Sequence, residues 1–336
     1  MTQYAMLIAP SVNRVYADAA PRMAAAELTV FGSTVLQAKV DDIAPTTIGG
    51  VPYLGFHADT ELTERDIANL SNLSSAYALF ECVDGGLLRP VTLDPLARFD
   101  DDLLTIQKYA GKTNEQFTKL LINITLLAST HAPKMLDRRL TVLDPLCGRG
   151  TTLNQALMYG YDAIGIDNDA KDFEAYGAFI RTWLRRKRIK HQSEVAPVRK
   201  EKKMLARRLS VTIAGQQSLT VFQADSTQAR EFLKGGVADV IVADLPYGVA
   251  HGSRTDEGLS RSPLRLLTAA VPVWSQLIQP GGTVGISWNT HVADRDAAAA
   301  ILEDSGLRVQ RGAGYDDLAH WVDQSINRDV LIARKF

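Results

Sequence analysis

From Leu140 onward, short apolar runs alternate with amphipathic stretches. The runs Leu140–Leu143, Ala163–Ile166, Leu219–Gln223, Val237–Ala243 and Thr283–Ser287 have the length and apolar character of buried strands. Enough chain separates them for helical crossovers, so the pattern predicts a doubly wound, largely parallel α/β sheet. The last two runs, Leu307–Arg311 and Val330–Arg334, are too close for a helical crossover and are expected to form an antiparallel edge pair.

The first 95 residues have a different rhythm. Tyr4–Ala9 reads as a strand, Val15–Leu28 as an Ala-rich helix, Val35–Val40 and Pro52–Phe56 as strands around the turn-rich Pro45–Gly50. Thr63–Leu70 reads as a short helix with Thr60 or Thr63 as its cap, and Ala76–Val83 as a strand. The order β-α-β-β-α-β predicts a ferredoxin-like α+β domain over 1–95. Residues 96–130 read as a linker and a helix, Thr113–Ser129, with Phe117, Leu120, Leu121, Ile124 and Leu127 at helical spacing. Residues 131–336 form the α/β domain, with a basic insertion over 181–218.

Composition excludes several classes. The chain has 336 residues, 46% hydrophobic and 22% charged, and no apolar run reaches the roughly 20 residues needed to span a bilayer. Met1–Ala19 lacks a charged leader followed by an apolar core, so no secretory signal is expected. Two cysteines, Cys82 and Cys147, make neither a disulfide framework nor a zinc pattern. The expected setting is cytoplasmic, with no metal; the oligomeric state is left open. Net charge is −1, yet twelve basic and two acidic residues lie between Arg181 and Arg208. Such asymmetry suggests a polyanion contact, through Arg181, Arg185, Arg186, Lys187, Arg188 and Lys190. The competing explanation is a solvated helical face or a flexible basic insertion. The run is expected to continue through a second helix, Lys200–Leu209.

Three strand ends carry chemistry. Asp144-Pro-Leu-Cys-Gly-Arg-Gly-Thr-Thr152 follows the first strand of the α/β domain and opens a helix. Gly148 and Gly150 let backbone pass close to a ligand at the carboxyl end of the sheet, although a tight strand-to-helix turn uses the same residues. Asp167 ends the next strand, about twenty residues after the glycines, where a carboxylate accepts ribose hydroxyls of an adenosine ligand. Asp144 would repel a pyrophosphate but suits the cationic amino-acid end of S-adenosylmethionine. Asp225, after the third strand, stands where adenine N6 would donate; it equally suits a helix N-cap. Cys147, Thr151, Asn168 and Ser226 complete the candidate donor site, Cys147 as a small buried side chain in the loop. The fourth strand ends in Asp244-Leu245-Pro246-Tyr247-Gly248. Asp244 and the carbonyl of Leu245 or Pro246 can accept from an exocyclic amine, Pro246 stiffens the loop, and Tyr247 can stack on the base. A β-turn after a strand is the competing explanation. His251, Arg254 and Arg261 are candidates for the substrate entrance.

Together, Asp144-Pro-Leu-Cys-Gly-Arg-Gly-Thr, Gly165-Ile-Asp and Asp244-Leu-Pro-Tyr-Gly resemble the amino-directed S-adenosylmethionine-dependent methyltransferases, and within them the tRNA guanine-N2 branch that acts on the position-ten guanosine. Tyr109-Ala-Gly-Lys-Thr-Asn114 is similar to a segment that helps close the donor pocket there, which implies roles for Lys112 and Thr113. Asn327–Arg334 resembles that group's closing strand. The resemblance covers most of 105–336 and, more loosely, 1–95. It implies a Rossmann-like class I methyltransferase sheet of seven strands, S-adenosylmethionine as cofactor and tRNA as partner. Two departures stand out: little room between Val83 and Lys108 for the family's THUMP domain, and Leu245 where many members have proline. The rival readings are an N6-adenine methyltransferase acting on RNA or DNA, a small-molecule N-methyltransferase, and a non-catalytic RNA-binding module that keeps the fold.

Overall fold

The computed structural model describes residues 1–10, 14–84, 86–109, 111–246 and 263–336, with 14 and 15 as backbone only. The N-terminal part contains β1 (Thr2–Ile8), α1 (Arg14–Thr34), β2 (Val40–Ile48), β3 (Val51–Ala58), α2 (Glu64–Leu70), β4 (Ala76–Val83) and β5 (Leu87–Val91). The order read from the sequence is present, with one strand added. The strands pair antiparallel in the order β2-β3-β1-β4-β5. Thr63 caps α2 in a capping box: its hydroxyl accepts from the Asp66 amide, and Asp66 accepts from the Thr63 amide. The strand placed at Val35–Val40 is a correction. α1 runs on to Thr34, and the strand begins at Val40 and consumes the turn-rich Pro45–Ile48. Pairing with β3 (Pro45↔Leu54, Thr47↔Pro52) overrides the local turn preference.

A linker with the short helix α3 (Asp102–Thr105) leads to α4 (Glu115–Leu127), which Asn114 caps by accepting from the Phe117 amide at 3.0 Å. Then follow β6 (Thr141–Asp144), α5 (Thr151–Met158), β7 (Asp162–Asp167), α6 (Ala170–Arg186), β8 (His191–Lys200), β9 (Lys203–Ile213), β10 (Gln217–Gln223), β11 (Ala238–Asp244), α7 (Pro263–Leu277), β12 (Ile278–Asn289), α8 (Arg295–Asp304), β13 (Leu307–Val309), β14 (His320–Asp323) and β15 (Ile326–Lys335). The second sheet has the order β13-β15-β12-β11-β6-β7-β10-β9-β8, with β14 added on β15. The five central strands, from β12 to β10, are parallel, and β13 and β15 form the expected antiparallel edge. β11 is buried from Ala238 to Ala243, which is why its sequence is a continuous apolar run rather than an alternation. Helices α4, α5 and α6 cover one face and α7 and α8 the other.

Two expectations change. The sheet has ten strands, not seven, and Lys200–Leu209 is not a helix. Residues 191–213 form a β-hairpin whose second strand pairs with β10 from Gln217↔Ile213 to Gln223↔Arg207. The Lys-, Arg- and Leu-rich run is a good helix former in isolation. The open edge of β10 supplies a ladder of partners that outweighs this preference.

One apolar cluster runs through both sheets. α1 lies against α4, where the buried Glu27 carboxylate accepts from Asn123 Nδ2 at 2.7 Å and from the Ser74 amide and hydroxyl. No helix is long and apolar enough to cross a membrane among the described residues.

Candidate active site

The register places the functional groups in one row. Asp144 lies opposite Gly165, so Asp167 stands two residues above it; Ile241 lies opposite Leu143, so Asp244 also stands two residues above Asp144. Gln223 lies opposite Asp167, and Ser287 opposite Asp244. The carboxyl ends of β6, β7, β10, β11 and β12 thus present three acids, an amide and a hydroxyl side by side, where open α/β sheets bind ligands.

The loop after β6 is shaped by its glycines. Gly150 has φ +81°, and a Cβ there would lie 2.2 Å from the Tyr176 ring. That ring is fully buried, and its hydroxyl donates to Asn154 at 3.0 Å. Gly148 also has a positive φ, but a Cβ there would meet nothing within 4 Å. Gly150→Ala should therefore destabilise the fold by about 2 kcal/mol or more through overpacking and strain. Gly148→Ala should keep most of the stability and lose ligand affinity. Urea unfolding and calorimetric titration separate the two, and equal stability losses would refute the distinction.

Asp144 is 3% exposed and accepts from the Leu146 amide at 2.9 Å. Burial, aided by the charges of Asp167 and Asp244, pushes its carboxyl up to about 7. Asp167 is also pushed up by burial, and it accepts from the amides of Gly148 and Asp169, both at 2.8 Å. These two bonds tie the glycine loop to the end of β7. Asp225 is the N-cap of the short 3-10 turn 226–231 and accepts from the Thr227 amide at 2.8 Å. The capping explanation for this residue therefore applies. Ser226 is buried and Asn168 exposed. The Cys147 thiol packs over Gly165 and is pushed well up by burial first and the neighbouring acids second, which leaves it a protonated packing group.

The linker closes over this loop. The Tyr109 hydroxyl is 3.0 Å from Thr151 Oγ1, and the Arg149 guanidinium lies over the Tyr109 ring while its Nε donates to Asp172 at 2.9 Å. Lys112 turns its amine onto the Leu104 carbonyl and Glu115. Thr113 does more than the sequence suggested. Its hydroxyl donates to Asp244 Oδ2 at 2.5 Å, while the Ser287 hydroxyl donates to Oδ1. Ser287 was not among the residues read from the sequence. Its one legible signal is that it ends the run Thr283–Ser287 read as the strand after Asp244, although β12 continues to Asn289. Leu245 is buried and donates its amide to the Ser287 carbonyl at 2.8 Å, which fixes the strand end; Pro246 is exposed. Tyr247, Gly248, His251, Arg254 and Arg261 lie outside the described residues.

The basic residues of α6 are not brought to this row. α6 follows β7 and runs back down the sheet, so Arg185, Arg186, Arg188 and Lys190 are exposed at the opposite end. Lys187 pairs with Asp100 and Asp102 at 2.8 and 2.7 Å, and Arg181 donates to the Gly177 carbonyl.

No protein-family model matches the sequence, and no curated protein matches it. Among solved structures, the magnesium protoporphyrin IX methyltransferase of Synechocystis with bound S-adenosylmethionine is 15% identical, with a TM-score of 0.42 over 68% of this chain and 87% of that one. A TehB-like S-adenosylmethionine-dependent methyltransferase of Corynebacterium glutamicum is 15% identical, with a TM-score of 0.35 over 60% and 83%. An rRNA methylase of Streptococcus thermophilus is 8% identical, with a TM-score of 0.35 over 60% and 90%. Likeness at this level carries no argument about the activity or substrate of this chain.

Proposed function

We propose that the chain transfers a methyl group from S-adenosylmethionine to an exocyclic amine of a nucleobase in RNA, with guanine N2 in tRNA as the favoured target. The observation that carries this reading is the Asp244 carboxylate, held by the Thr113 and Ser287 hydroxyls in the same row as Asp167 and two residues from the level of Asp144.

The residues fit the donor. The open space over Gly148 admits a ligand against the loop backbone. Asp144 would hold the cationic amino-acid end, Asp167 would accept from the ribose hydroxyls, and Asp225 would border the adenine. When bound, S-adenosylmethionine supplies an electrophilic methyl group on a sulfonium. The protein's own contribution is orientation. An amine conjugated to a base has its lone pair delocalised into the ring. Two acceptors, Asp244 and the carbonyl of Leu245 or Pro246, hold its hydrogens so that the nitrogen pyramidalises and aims at the methyl carbon. Positive charge grows on nitrogen during transfer, and a fixed carboxylate stabilises it. Because two hydroxyls pin both oxygens, Asp244 need not reorganise when this charge appears.

The test is nucleoside mass spectrometry of RNA from cells with and without the gene. Loss of N2-methylguanosine from tRNA is the expected result. Loss of N6-methyladenosine would move the target to adenine, and an unchanged RNA nucleoside profile would overturn the reading.

A further inference from the structure

The hairpin of β8 and β9 ends in four cations that the donor site does not use. Arg199, Lys200, Lys202 and Lys203 are all exposed, and none is in an ion pair among the described residues. Arg207, nearer the sheet, is engaged: it pairs with Glu174 at 2.5 Å and lies over the Phe173 ring.

The register shows where the cations stand. Arg207 is opposite Gln223, hence level with Asp167 and Asp244. Lys203–Ala206 continue past that level, paired only with β8, and the turn closes at Lys200↔Lys203. At about 3.3 Å per residue the tip rises about 13 Å above the row of site residues. From β11 across β6, β7 and β10 to β9 is four strand spacings of about 4.8 Å, roughly 19 Å sideways. The tip therefore projects past the carboxyl end of the sheet on its β9 side, about 23 Å from Asp244 by these spacings.

The turn is built for charge rather than for ease of folding. Its two central residues, Glu201 and Lys202, have φ of 49° and 69°. Such turns normally take Asn-Gly, because other L-residues avoid this conformation. Protection of the open edge of β8 does not explain the pattern either, since edge charges work along a strand. In β8 the cations are confined to the last two residues, Arg199 and Lys200.

We infer that this hairpin tip is an arm that binds the phosphate backbone of a single-stranded RNA whose target base lies at Asp244. This rests on the proposed function and deepens it. It moves the RNA contact from Arg185–Lys190 to Arg199–Lys203 and sets a minimum substrate length. At about 3.4 Å per stacked nucleotide, 23 Å is roughly seven nucleotides between the target and the arm.

The test uses the full chain and a fluorescein-labelled 24-nucleotide single-stranded RNA, with anisotropy read from 50 to 300 mM salt. Replacing Arg199, Lys200, Lys202 and Lys203 by alanine should weaken binding more than tenfold. It should also reduce the slope of log affinity against log salt by about 3, at roughly 0.7 per lost phosphate contact. Glu201→Lys should tighten binding, a result no misfolded variant gives. Alanine at Arg185, Arg186, Arg188 and Lys190 should change affinity less than twofold, and a 4-nucleotide RNA should bind wild type and tip variant alike. Wild-type RNA affinity in the tip variant overturns the arm, as does an equal loss in the α6 variant. So does a tip variant that loses only phosphatidylserine-vesicle binding. Calorimetric titration with S-adenosylmethionine runs alongside: a wild-type chain that binds RNA through the tip but not the donor would strike the methyltransferase reading and leave the arm standing.

Discussion

Asp144→Asn is expected to stabilise the ligand-free protein at pH 8 and to weaken its binding of S-adenosylmethionine. The carboxyl is buried, and its pKa is raised from 3.8 to about 7, by burial first and then by the charges of Asp167 and Asp244. A group whose folded pKa exceeds its unfolded value favours the fold while it is protonated. That contribution is complete below pH 4 and is lost as pH rises through 7. Above pH 7 the folded protein carries a buried charge that the unfolded chain solvates freely. At 1.36 kcal/mol per pKa unit the penalty is on the order of 4 kcal/mol. Asparagine keeps the shape and can still accept from the Leu146 amide but carries no charge. Urea midpoints of variant and wild type should therefore coincide near pH 4 and separate by pH 8, with the variant more stable.

The same substitution should weaken the donor at least a hundredfold, about 3 kcal/mol, because it leaves the ligand's cation without its counter-charge. Wild-type binding at pH 6.5 should release a proton, since a cation beside Asp144 lowers its pKa. Titrations in buffers of different ionisation enthalpy measure that proton. Undiminished affinity in the variant, or no proton release, would show that Asp144 does not face the cation. A residue that costs stability without a ligand and repays it on binding is the pattern expected of a site rather than of a core.

Much of this was legible in sequence because strand ends mark themselves. An apolar run that stops at an acid, as at Asp144, Asp167 and Asp244, shows both the strand and the point where it reaches solvent. Contacts across long separations were not legible. Thr113 meets Asp244 across 131 residues and Ser287 meets it across 43; only the register of β11 against β12 makes the second pair inevitable. The hairpin is illegible in the sequence for a related reason. Its strand state depends on the β10 edge, which no local window contains, and its residues favour helix when considered alone. The same dependence sets the position of the charges. Read as helix, Arg181–Arg208 is one basic face; as observed, it divides between the two ends of the sheet.

Asp244→Ala is expected to remove methyl transfer while sparing the donor. The side chain stands at the end of β11, and its two oxygens are taken up by the hydroxyls of Thr113 and Ser287. Alanine deletes the acceptor for the amine and leaves both hydroxyls without their partner, but it touches neither the glycine loop nor Asp167. Removing one preorganised group at a site of developing charge costs about a hundred- to a thousandfold. Here the same group also sets the approach of the nitrogen, a separate contribution. The loss in kcat/KM should therefore reach about a thousandfold or more. Transfer of labelled methyl into RNA from cells lacking the gene gives the rate, and calorimetric titration gives the donor affinity, expected to change only a few-fold. Ser287→Ala should lie between: Asp244 keeps its charge but loses one of the bonds that pin it, so kcat should fall more than donor affinity. A graded series, wild type above Ser287→Ala above Asp244→Ala, is what a pinned acceptor requires. If Asp244→Ala instead lost donor binding in proportion to rate, the carboxylate would belong to the donor pocket. Methylation at an exocyclic amine would then lose its acceptor.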